Sequence, residues 1–317
     1  MLNDVNIKRK LDLLKKSVSF VKKTNNKSIK YIFKNFKLLS GKNIRGLLVL
    51  TTTEALSGKI NMSAINAAVA IELLHQATLI HDDIIDNSYK RRGDPTLNKK
   101  IGYELSVLTG DYLFSYVNRL VVNQKLPILL KIFSETVKDI CEGAIDEVYN
   151  KNNTSMSEKQ YFDIINKKTA SLIKMSVLCG SIISGNNFNG CLSDYGRYVG
   201  IAFQIKDDIL DMSSTSKRLG KPAGSDIKEG KITLPFIFAL KNADKKEKKE
   251  MIELFNKRKI KPLIKLIKKN NGIDDAFAIA QDYVKKAKER LNKVNFKHLK
   301  NKTQLEKIAD YAINRDY

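Results

Sequence analysis

Two pairs of aspartates at helical spacing are the residues best suited to chemistry in this sequence. Asp82 and Asp86 close an apolar stretch, residues 67–80, which lacks proline and glycine and predicts a helix. On a helix, residues four apart share a face and lie about 6 Å apart along the axis. Like charges at that spacing repel each other, so the pair does not serve stability. Oxygen ligands without a His or Cys cluster suit Mg²⁺ or Mn²⁺, and the pattern predicts a divalent-metal site.

A second copy of this pattern strengthens the prediction. Asp207 and Asp211 follow another apolar run, residues 198–205. One pair alone would also fit a solvated helix face, but burying unpaired carboxylates is costly. Two copies that each emerge from an apolar helix therefore favour the metal site. Two such clusters facing each other across a cavity would hold several divalent cations, and those cations would hold a diphosphate.

Cationic residues accompany the aspartates. Arg91 and Arg92 follow the first motif in a loop marked by Gly and Pro, and Lys42 and Arg45 lie in a break bounded by glycines. A basic turn of this kind is ordinary by itself. Guanidinium groups grip phosphate oxygens in a bidentate way, so arginines beside metal-binding carboxylates predict a metal-diphosphate substrate.

Polar side chains also enter the apolar helices. His75 and Gln204 each precede an aspartate of a motif by seven residues, almost two turns, and so share its face. A lone histidine in an apolar run is usually a core residue, whereas beside an acidic site it would donate to an anionic ligand. Lys168 and Thr169 interrupt another apolar helix, which is unremarkable in isolation.

Composition favours an all-α chain. The 317 residues are 43% hydrophobic and include five prolines, which leaves long stretches without helix breakers. We see no linker and expect one domain over residues 1–317. Residues 213–234 carry three glycines and Pro222. They are either a lid, from which Lys221 could reach a bound anion, or a solvated connection.

The net charge of +23 lies on the two flanks. Residues 1–42 carry 12 Lys+Arg against 2 Asp+Glu, residues 241–317 carry 22 against 11, and the middle is nearly balanced. Solvated lysine-rich faces are the plain interpretation, and peripheral contact with an anionic membrane is the alternative. We expect no nucleic-acid partner, because aromatic residues do not alternate with the basic runs.

Three scattered cysteines, no signal peptide and no run of 18 apolar residues fit a cytoplasmic protein without a membrane span.

The motifs together resemble those of the trans-type (E-type) polyprenyl diphosphate synthases. The matching segments, in order over nearly the whole chain, are GKNIR, HDDIID with RRGDPT, KTASL, FQIKDDILD, and GKPAGSD with GKITLP. The resemblance implies a single-domain bundle of roughly ten or more helices around a deep central cavity, the isoprenoid synthase fold, usually as a homodimer. It implies an enzyme that joins isopentenyl diphosphate units to an allylic diphosphate.

The resemblance also assigns roles by position. It makes Asp82, Asp86, Asp207 and Asp211 the Mg²⁺ ligands, with Mn²⁺ as an alternative metal. It gives the isopentenyl diphosphate pocket Lys42, Arg45, His75 and Arg92. It gives the allylic site Arg91, Lys168, Thr169, Gln204 and Lys221, of which Lys168, Thr169 and Gln204 would be catalytic. The sequence departs from the family at Asn43 and Gly46, which replace a common Arg and Pro, and at Glu147, where many relatives have Gln.

Product length follows from the face below the first motif. In relatives that make short products, bulky aromatics occupy the positions of Ala77 and Thr78 and floor the tunnel. Both residues are small here, so we predict a long-chain product of the heptaprenyl, octaprenyl or solanesyl type, used for quinone side chains. A geranylgeranyl or farnesyl diphosphate synthase, or a catalytic subunit that needs a small partner, is the alternative.

Three rival functions are weaker. A class I terpene cyclase has a different second metal motif and needs no isopentenyl pocket. A non-catalytic partner subunit would not need intact acidic motifs. A basic helical protein that binds nucleic acid would leave both motifs unexplained and predicts salt-sensitive retention of DNA or RNA.

Overall fold

The part of the chain that the structure describes is mostly helical, which confirms the predicted all-α class. The structure is a computed structural model that describes residues 4–18, 23–39, 41–91, 93–186, 189–213 and 223–315. Helices α1 to α16 are, in order, Val5–Ser17, Lys27–Asn35, Ile44–Ser57, Met62–Ile85, Leu97–Ile101, Tyr103–Val122, Pro127–Tyr149, Glu158–Ile165, Ser171–Ile183, Gly190–Ser213, Ser225–Glu229, Leu234–Asn242, Lys245–Asn256, Ile260–Lys269, Gly272–Leu291 and Leu299–Asn314. A π-helical turn, Asn166–Ala170, joins α8 to α9, and two-residue strands pair antiparallel at Lys90–Arg91 and Asp94–Pro95.

Helix α4 carries the first acidic motif at its C-terminal end. The side chain of Asn61, one residue before the first helical position, caps the start of α4 by accepting from the Ala64 N–H at 2.9 Å. Helix α4 is long and apolar enough to cross a membrane by length and composition alone. Because 72% of its most apolar window is buried inside the protein, the same features fit a core helix that packs against α3 and α6.

Helix α6 runs without a break from Tyr103 to Val122, although Gly110 lies within it. A glycine inside a helix costs only about 1 kcal/mol relative to alanine. At Gly110 the missing side chain makes room for the ring of His81 on α4, where a Cβ atom would overlap the imidazole. The close packing of α4 against α6 therefore outweighs the local preference.

The helices group into two compact units, each assembled from three stretches of chain. The first comprises Met1–Glu135, Leu172–Gly196 and Arg290–Ile308, and the second comprises Thr136–Ser171, Arg197–Glu289 and Ala309–Tyr317. The prediction of a single domain over residues 1–317 stays a prediction.

A buried lysine connects three helices of the first unit. Lys10 on α1 is fully buried and pairs with Glu54 of α3 at 2.9 Å. Its ammonium also donates to Gln304 of α16 at 2.6 Å and to Asn301 at 3.2 Å. Burial would raise the pKa of Glu54, but the hydrogen bonds and charges of Lys10 and Arg9 outweigh it and lower that pKa.

Candidate active site

In the first unit, Asp82 and Asp86 lie one turn apart at the end of α4, and both are half-buried. Between them Asp83 is buried, and its Oδ1 accepts from Nε and Nη2 of Arg91 at 2.9 and 2.8 Å, while its Oδ2 accepts from Nε at 3.1 Å. Arg91, which was predicted to bind the allylic diphosphate, is thus fixed beside the motif by its middle aspartate. A phosphate would have to bind the remaining guanidinium nitrogen, Nη1, or displace the Asp83 carboxylate.

Lys42 and Arg45 flank the start of α3, and the two departures from the family pattern beside them have structural reasons. Asn43 adopts a left-handed conformation at φ 51°, which asparagine tolerates better than most residues. The N–H of Gly46 donates to the buried carboxylate of Glu72 at 2.7 Å. Proline has no N–H, so it could not make this hydrogen bond.

The face of α4 before the first motif carries His75, Ala77 and Thr78. His75 and Thr78 are half-buried, and Ala77 is buried. The Thr78 hydroxyl donates to the carbonyl of His75 at 2.9 Å, so its polar atom is satisfied within the helix. The two predicted chain-length positions therefore present small side chains in a buried setting.

The three aspartates of the second motif differ in their surroundings, all within the second unit. Asp207 is 44% exposed and pairs with Arg315 at 2.7 Å. Asp208 is buried. Asp211 is also buried, and its carboxylate accepts from the N–H and hydroxyl of Ser225, at 3.1 and 2.7 Å, and from the N–H of Asp226 at 3.2 Å. Because Asp211 already holds the start of α11, Asp207 is the more accessible of the two predicted metal ligands.

A chain of hydrogen bonds connects α8, the π-helical turn and α10 through this motif. The Thr169 hydroxyl donates to Gln204 at 2.7 Å, and the Gln204 amide donates to Asp208 at 2.8 Å. The Tyr161 hydroxyl donates to the other oxygen of Asp208 at 2.6 Å. Burial raises the pKa of Asp208 to about 7, although both hydrogen bonds oppose the shift. Thr169 and Gln204, predicted separately, are thus in direct contact.

Two glycines let neighbouring helices approach the π-helical turn that carries Lys168 and Thr169. A Cβ atom on Gly143 of α7 would lie 2.5 Å from the backbone nitrogen of Lys168. One on Gly200 of α10 would lie 2.5 Å from the Cα atom of Ala170. No side chain fits at either position without moving this turn. The backbone of the turn is therefore fixed from both sides.

Lys168 lies beside a carboxylate as well as a second lysine. Its ammonium pairs with Glu147 of α7 at 2.6 Å, and Lys231 lies 3.8 Å from the same carboxylate oxygen. Lys231 also pairs with Glu229 at 2.7 Å. Glu147, which departs from the family pattern, thus places a negative charge beside two lysines. All three side chains are more than three-quarters buried.

Two predicted site residues, Arg92 and Lys221, lie outside the described residues. Across the described ranges, no three His, Cys, Asp or Glu side chains come close enough to hold a metal by themselves. The candidate donors are all carboxylate oxygens, which suit hard divalent cations, and such cations usually take their remaining ligands from phosphate and water. The donor set therefore fits a metal that is bound together with a diphosphate, and the residue assignments stay predictions.

Sequence reasoning missed two residues of the second unit. Tyr161 lies on α8, seven residues before the KTASL segment, and belongs to no recognised motif. Arg315 contacts Asp207 from the far end of the chain, and nothing in the local sequence announces that contact. Only the tertiary structure brings these side chains to the motif.

The chain is similar to a known protein family and to several of its members. Residues 23–268 match the family described as "Polyprenyl synthetase". The chain is 36% identical over 256 residues to heptaprenyl diphosphate synthase component 2 of Bacillus subtilis, covering 80% of this chain and 73% of that protein. It is 39% identical over 269 residues to a short chain isoprenyl diphosphate synthase of Methanocaldococcus jannaschii, covering 82% and 80%. The crystal structure of a polyprenyl synthase from Caulobacter crescentus, complexed with calcium and isoprenyl diphosphate, superposes with a TM-score of 0.87 at 30% identity, covering 98% of this chain and 94% of that one.

The fold and these matches define an all-α prenyltransferase. The chain belongs to the polyprenyl synthetase family. The predicted resemblance and enzyme class are therefore confirmed. Members of the family depend on a metal and act on prenyl diphosphates. Its relatives include both heptaprenyl and short-chain enzymes, so membership alone does not set the length of the product.

Proposed function

We propose that this protein condenses isopentenyl diphosphate repeatedly with an allylic diphosphate, in the presence of Mg²⁺, and releases a long-chain all-trans polyprenyl diphosphate. The observation that carries the proposal is the contact of Thr169 and Gln204 beside the second acidic motif. A diphosphate there would find a hydroxyl, an amide and the Lys168 ammonium within one compact unit. The test is incubation with Mg²⁺ and both diphosphates, followed by sizing of the products.

The proposed chemistry assigns each group a task. Mg²⁺, when bound, would withdraw charge from the leaving diphosphate. In the first unit Asp82 and Asp86 would hold a cation, and Arg91 would bind phosphate oxygens. In the second unit Asp207 and Asp211 would hold a cation, and Lys168 would stabilise the charge that develops as the allylic C–O bond breaks. The isopentenyl double bond attacks the cation, and the proton lost afterwards goes to the departing diphosphate. Apolar helix faces exclude water, which would otherwise trap the cation.

The metal assignment has a direct test in Asp82→Ala. Removing one of two like charges from the end of α4 relieves repulsion, so the fold should be unchanged or slightly more stable. Condensation should fall to background because the metal loses a ligand. Turnover close to that of the wild type would refute the assignment.

Small side chains at Ala77 and Thr78 support the long-chain product. A phenylalanine at position 77 would place a ring at a buried site one turn before the first motif. Ala77→Phe should therefore shorten the products, while Ala77→Ser, which keeps the site small, should not. Long products from both variants would contradict the assignment. Short products already from the wild type would instead favour a geranylgeranyl or farnesyl diphosphate synthase.

The need for a partner subunit is the second alternative. The Bacillus relative is called component 2 of its enzyme, so a further component belongs to that system. If the purified chain makes no product with any allylic primer but does so when a small partner is added, this chain is a catalytic subunit rather than a complete enzyme.

We also propose a homodimer formed through α6. Near its N-terminal end the apolar side chains of Leu105, Val107 and Leu108 are exposed, and Leu108 is 61% exposed. Neighbouring exposed apolar side chains favour association, and a second copy of the chain would cover them. Leu108→Glu should convert a dimer to a monomer in light scattering, whereas a monomeric wild type would refute the proposal.

Peripheral contact with an anionic membrane is proposed for the lysine-rich helices α13 and α14. Their apolar residues Leu263, Ile267 and Phe255 are buried, while lysines including Lys245, Lys249 and Lys265 are exposed. The basic face would attract anionic lipid, where a long prenyl product dissolves. Vesicles with phosphatidylglycerol should sediment the protein at low salt, and neutral vesicles should not. Equal retention by DNA would point to unspecific charge instead.

A further inference from the structure

Arg315 is the most completely fixed cation near the second acidic motif. It follows α16, and its side chain is 7% exposed. Its Nη1 pairs with Oδ1 of Asp207 at 2.7 Å, and its Nη2 donates to the carbonyl of Phe203 at 2.7 Å. Its Nε donates to the carbonyl of Ala312 at 3.2 Å, and the guanidinium lies 3.6 Å from the centre of the Phe203 ring. Each edge of the planar group therefore has a partner, and the side chain has little freedom to move.

The two side chains of this ion pair differ in their solvent exposure. Asp207 is 44% exposed, although its partner is buried. Within the described ranges, Arg315 is the one residue that forms an ion pair or hydrogen bond with the Asp207 side chain. The buried Arg315 thus holds one oxygen of the Asp207 carboxylate, and the other oxygen has no protein partner within the described ranges.

We propose that Arg315 is a positioning residue for the metal, because it fixes Asp207 through Oδ1 and leaves Oδ2 to bind the divalent cation. This inference rests on the proposed function, in which Asp207 is a metal ligand. Carboxylate ligands of metals are commonly hydrogen-bonded through neighbouring groups, and loss of such a partner lowers metal affinity by about 10- to 100-fold. Arg315 also offsets the repulsion among three carboxylates within five residues.

The alternative role is obstruction, in which Arg315 competes with the metal for the Asp207 carboxylate. The geometry favours positioning. The guanidinium is anchored to two carbonyls and a ring, so it would not leave when a cation arrives. It also contacts one carboxylate oxygen and not both. The two roles predict opposite changes in metal affinity, which makes them separable.

The experiment measures metal binding as well as turnover in Arg315→Gln and Arg315→Lys. Binding of Mn²⁺ in the presence of inorganic pyrophosphate, followed by electron paramagnetic resonance, should weaken by about 10- to 100-fold in Arg315→Gln. The Mg²⁺ concentration for half-maximal condensation should rise by the same factor. Arg315→Lys keeps the charge but loses the planar fork, so it should recover part of the affinity.

Two controls separate positioning from general destabilisation. Arg290→Gln removes another arginine–aspartate pair, with Asp194 at 3.2 Å, and should leave the metal requirement unchanged. In an Asp207→Asn background, Arg315→Gln should have no further effect on Mn²⁺ binding, because the group it positions is gone.

The outcomes overturn different statements. Unchanged or tighter Mn²⁺ binding in a folded Arg315→Gln protein would refute the inference, and tighter binding would make Arg315 an obstruction. If Arg315→Gln does not fold, Arg315→Lys provides the test, and Mn²⁺ binding as tight as in the wild type or tighter would refute the inference. A wild-type protein that forms no prenyl product would instead refute the proposed function.

Discussion

Replacing Glu147 with glutamine should tighten the binding of the allylic diphosphate. Glu147 holds Lys168 at 2.6 Å and lies 3.8 Å from Lys231. A diphosphate that binds these lysines must compete with the carboxylate and must also approach its negative charge. Glu147→Gln removes the charge but keeps an oxygen that can accept from Lys168. The substitution therefore frees cationic charge without opening a cavity.

The size of the effect follows from the distances. At an effective dielectric constant of about 20, a pair at this separation has a gross Coulomb energy of roughly 6 kcal/mol. Most of that energy is offset by the cost of removing both groups from water, and partly exposed pairs retain about 1 kcal/mol or slightly more. Adding the weaker term from Lys231, we expect a gain of about 1–2 kcal/mol in diphosphate binding, or roughly 5- to 30-fold in affinity.

The assay is competitive inhibition of condensation by inorganic pyrophosphate, together with the KM for the allylic substrate. Both constants should fall in Glu147→Gln. Glu142→Gln is the matched control, because Glu142 lies on the same helix and pairs with the adjacent Lys167 at 3.1 Å, yet its side chain is more exposed. Equal effects of the two variants, or weaker pyrophosphate binding in Glu147→Gln, would refute the assigned competition.

Two further substitutions test the packing on which the site depends. Gly143→Ala should reduce condensation by at least about tenfold at modest cost to stability, because the new methyl group displaces the backbone of Lys168. Glu54→Gln should lower the free energy of unfolding at pH 7 by about 3–5 kcal/mol, because Lys10 stays buried without its charged partner. The wild type should lose part of that margin as the pH falls below the ordinary Glu54 pKa of 4.5, since the pKa is lowered in the folded state, and Glu54→Gln should lose less.

Each of these has a control in the same chain. Gly190→Ala adds a methyl group where no atom lies within 4 Å, so its activity should match the wild type. Glu253→Gln breaks an exposed pair with Lys257 at 3.6 Å and should change stability by less than about 0.5 kcal/mol. Loss of activity in Gly190→Ala, or equal destabilisation by Glu54→Gln and Glu253→Gln, would contradict the packing argument. Denaturant unfolding and steady-state rates provide the measurements.

The sequence was sufficient for the helices that carry the acidic motifs. Helix α4 is a long apolar run without glycine or proline, and α10 lacks proline although it contains three glycines, so composition predicts a helix in both places. The same local rules count against Gly110 inside α6, but the packing of α4 against α6 supplies more than the glycine costs. Local preference is a weak guide wherever tertiary contacts are close.

The contacts within the site were less accessible to sequence reasoning. Spacing predicted that Gln204 shares a face with the second motif, but not that Thr169 donates to it or that Tyr161 completes the chain to Asp208. The pair of Arg315 and Asp207 joins residues far apart in the chain. No periodic pattern reports a contact of that kind, because each partner satisfies only its own local rules.

The most direct measurement is to incubate the purified chain with Mg²⁺, isopentenyl diphosphate and each of several allylic diphosphates, and to size the products. We predict all-trans chains that grow well past the length that bulky residues at positions 77 and 78 would permit, and no product when Mg²⁺ is chelated. Condensation that persists without a divalent cation, or no condensation with any primer, would contradict the proposed function.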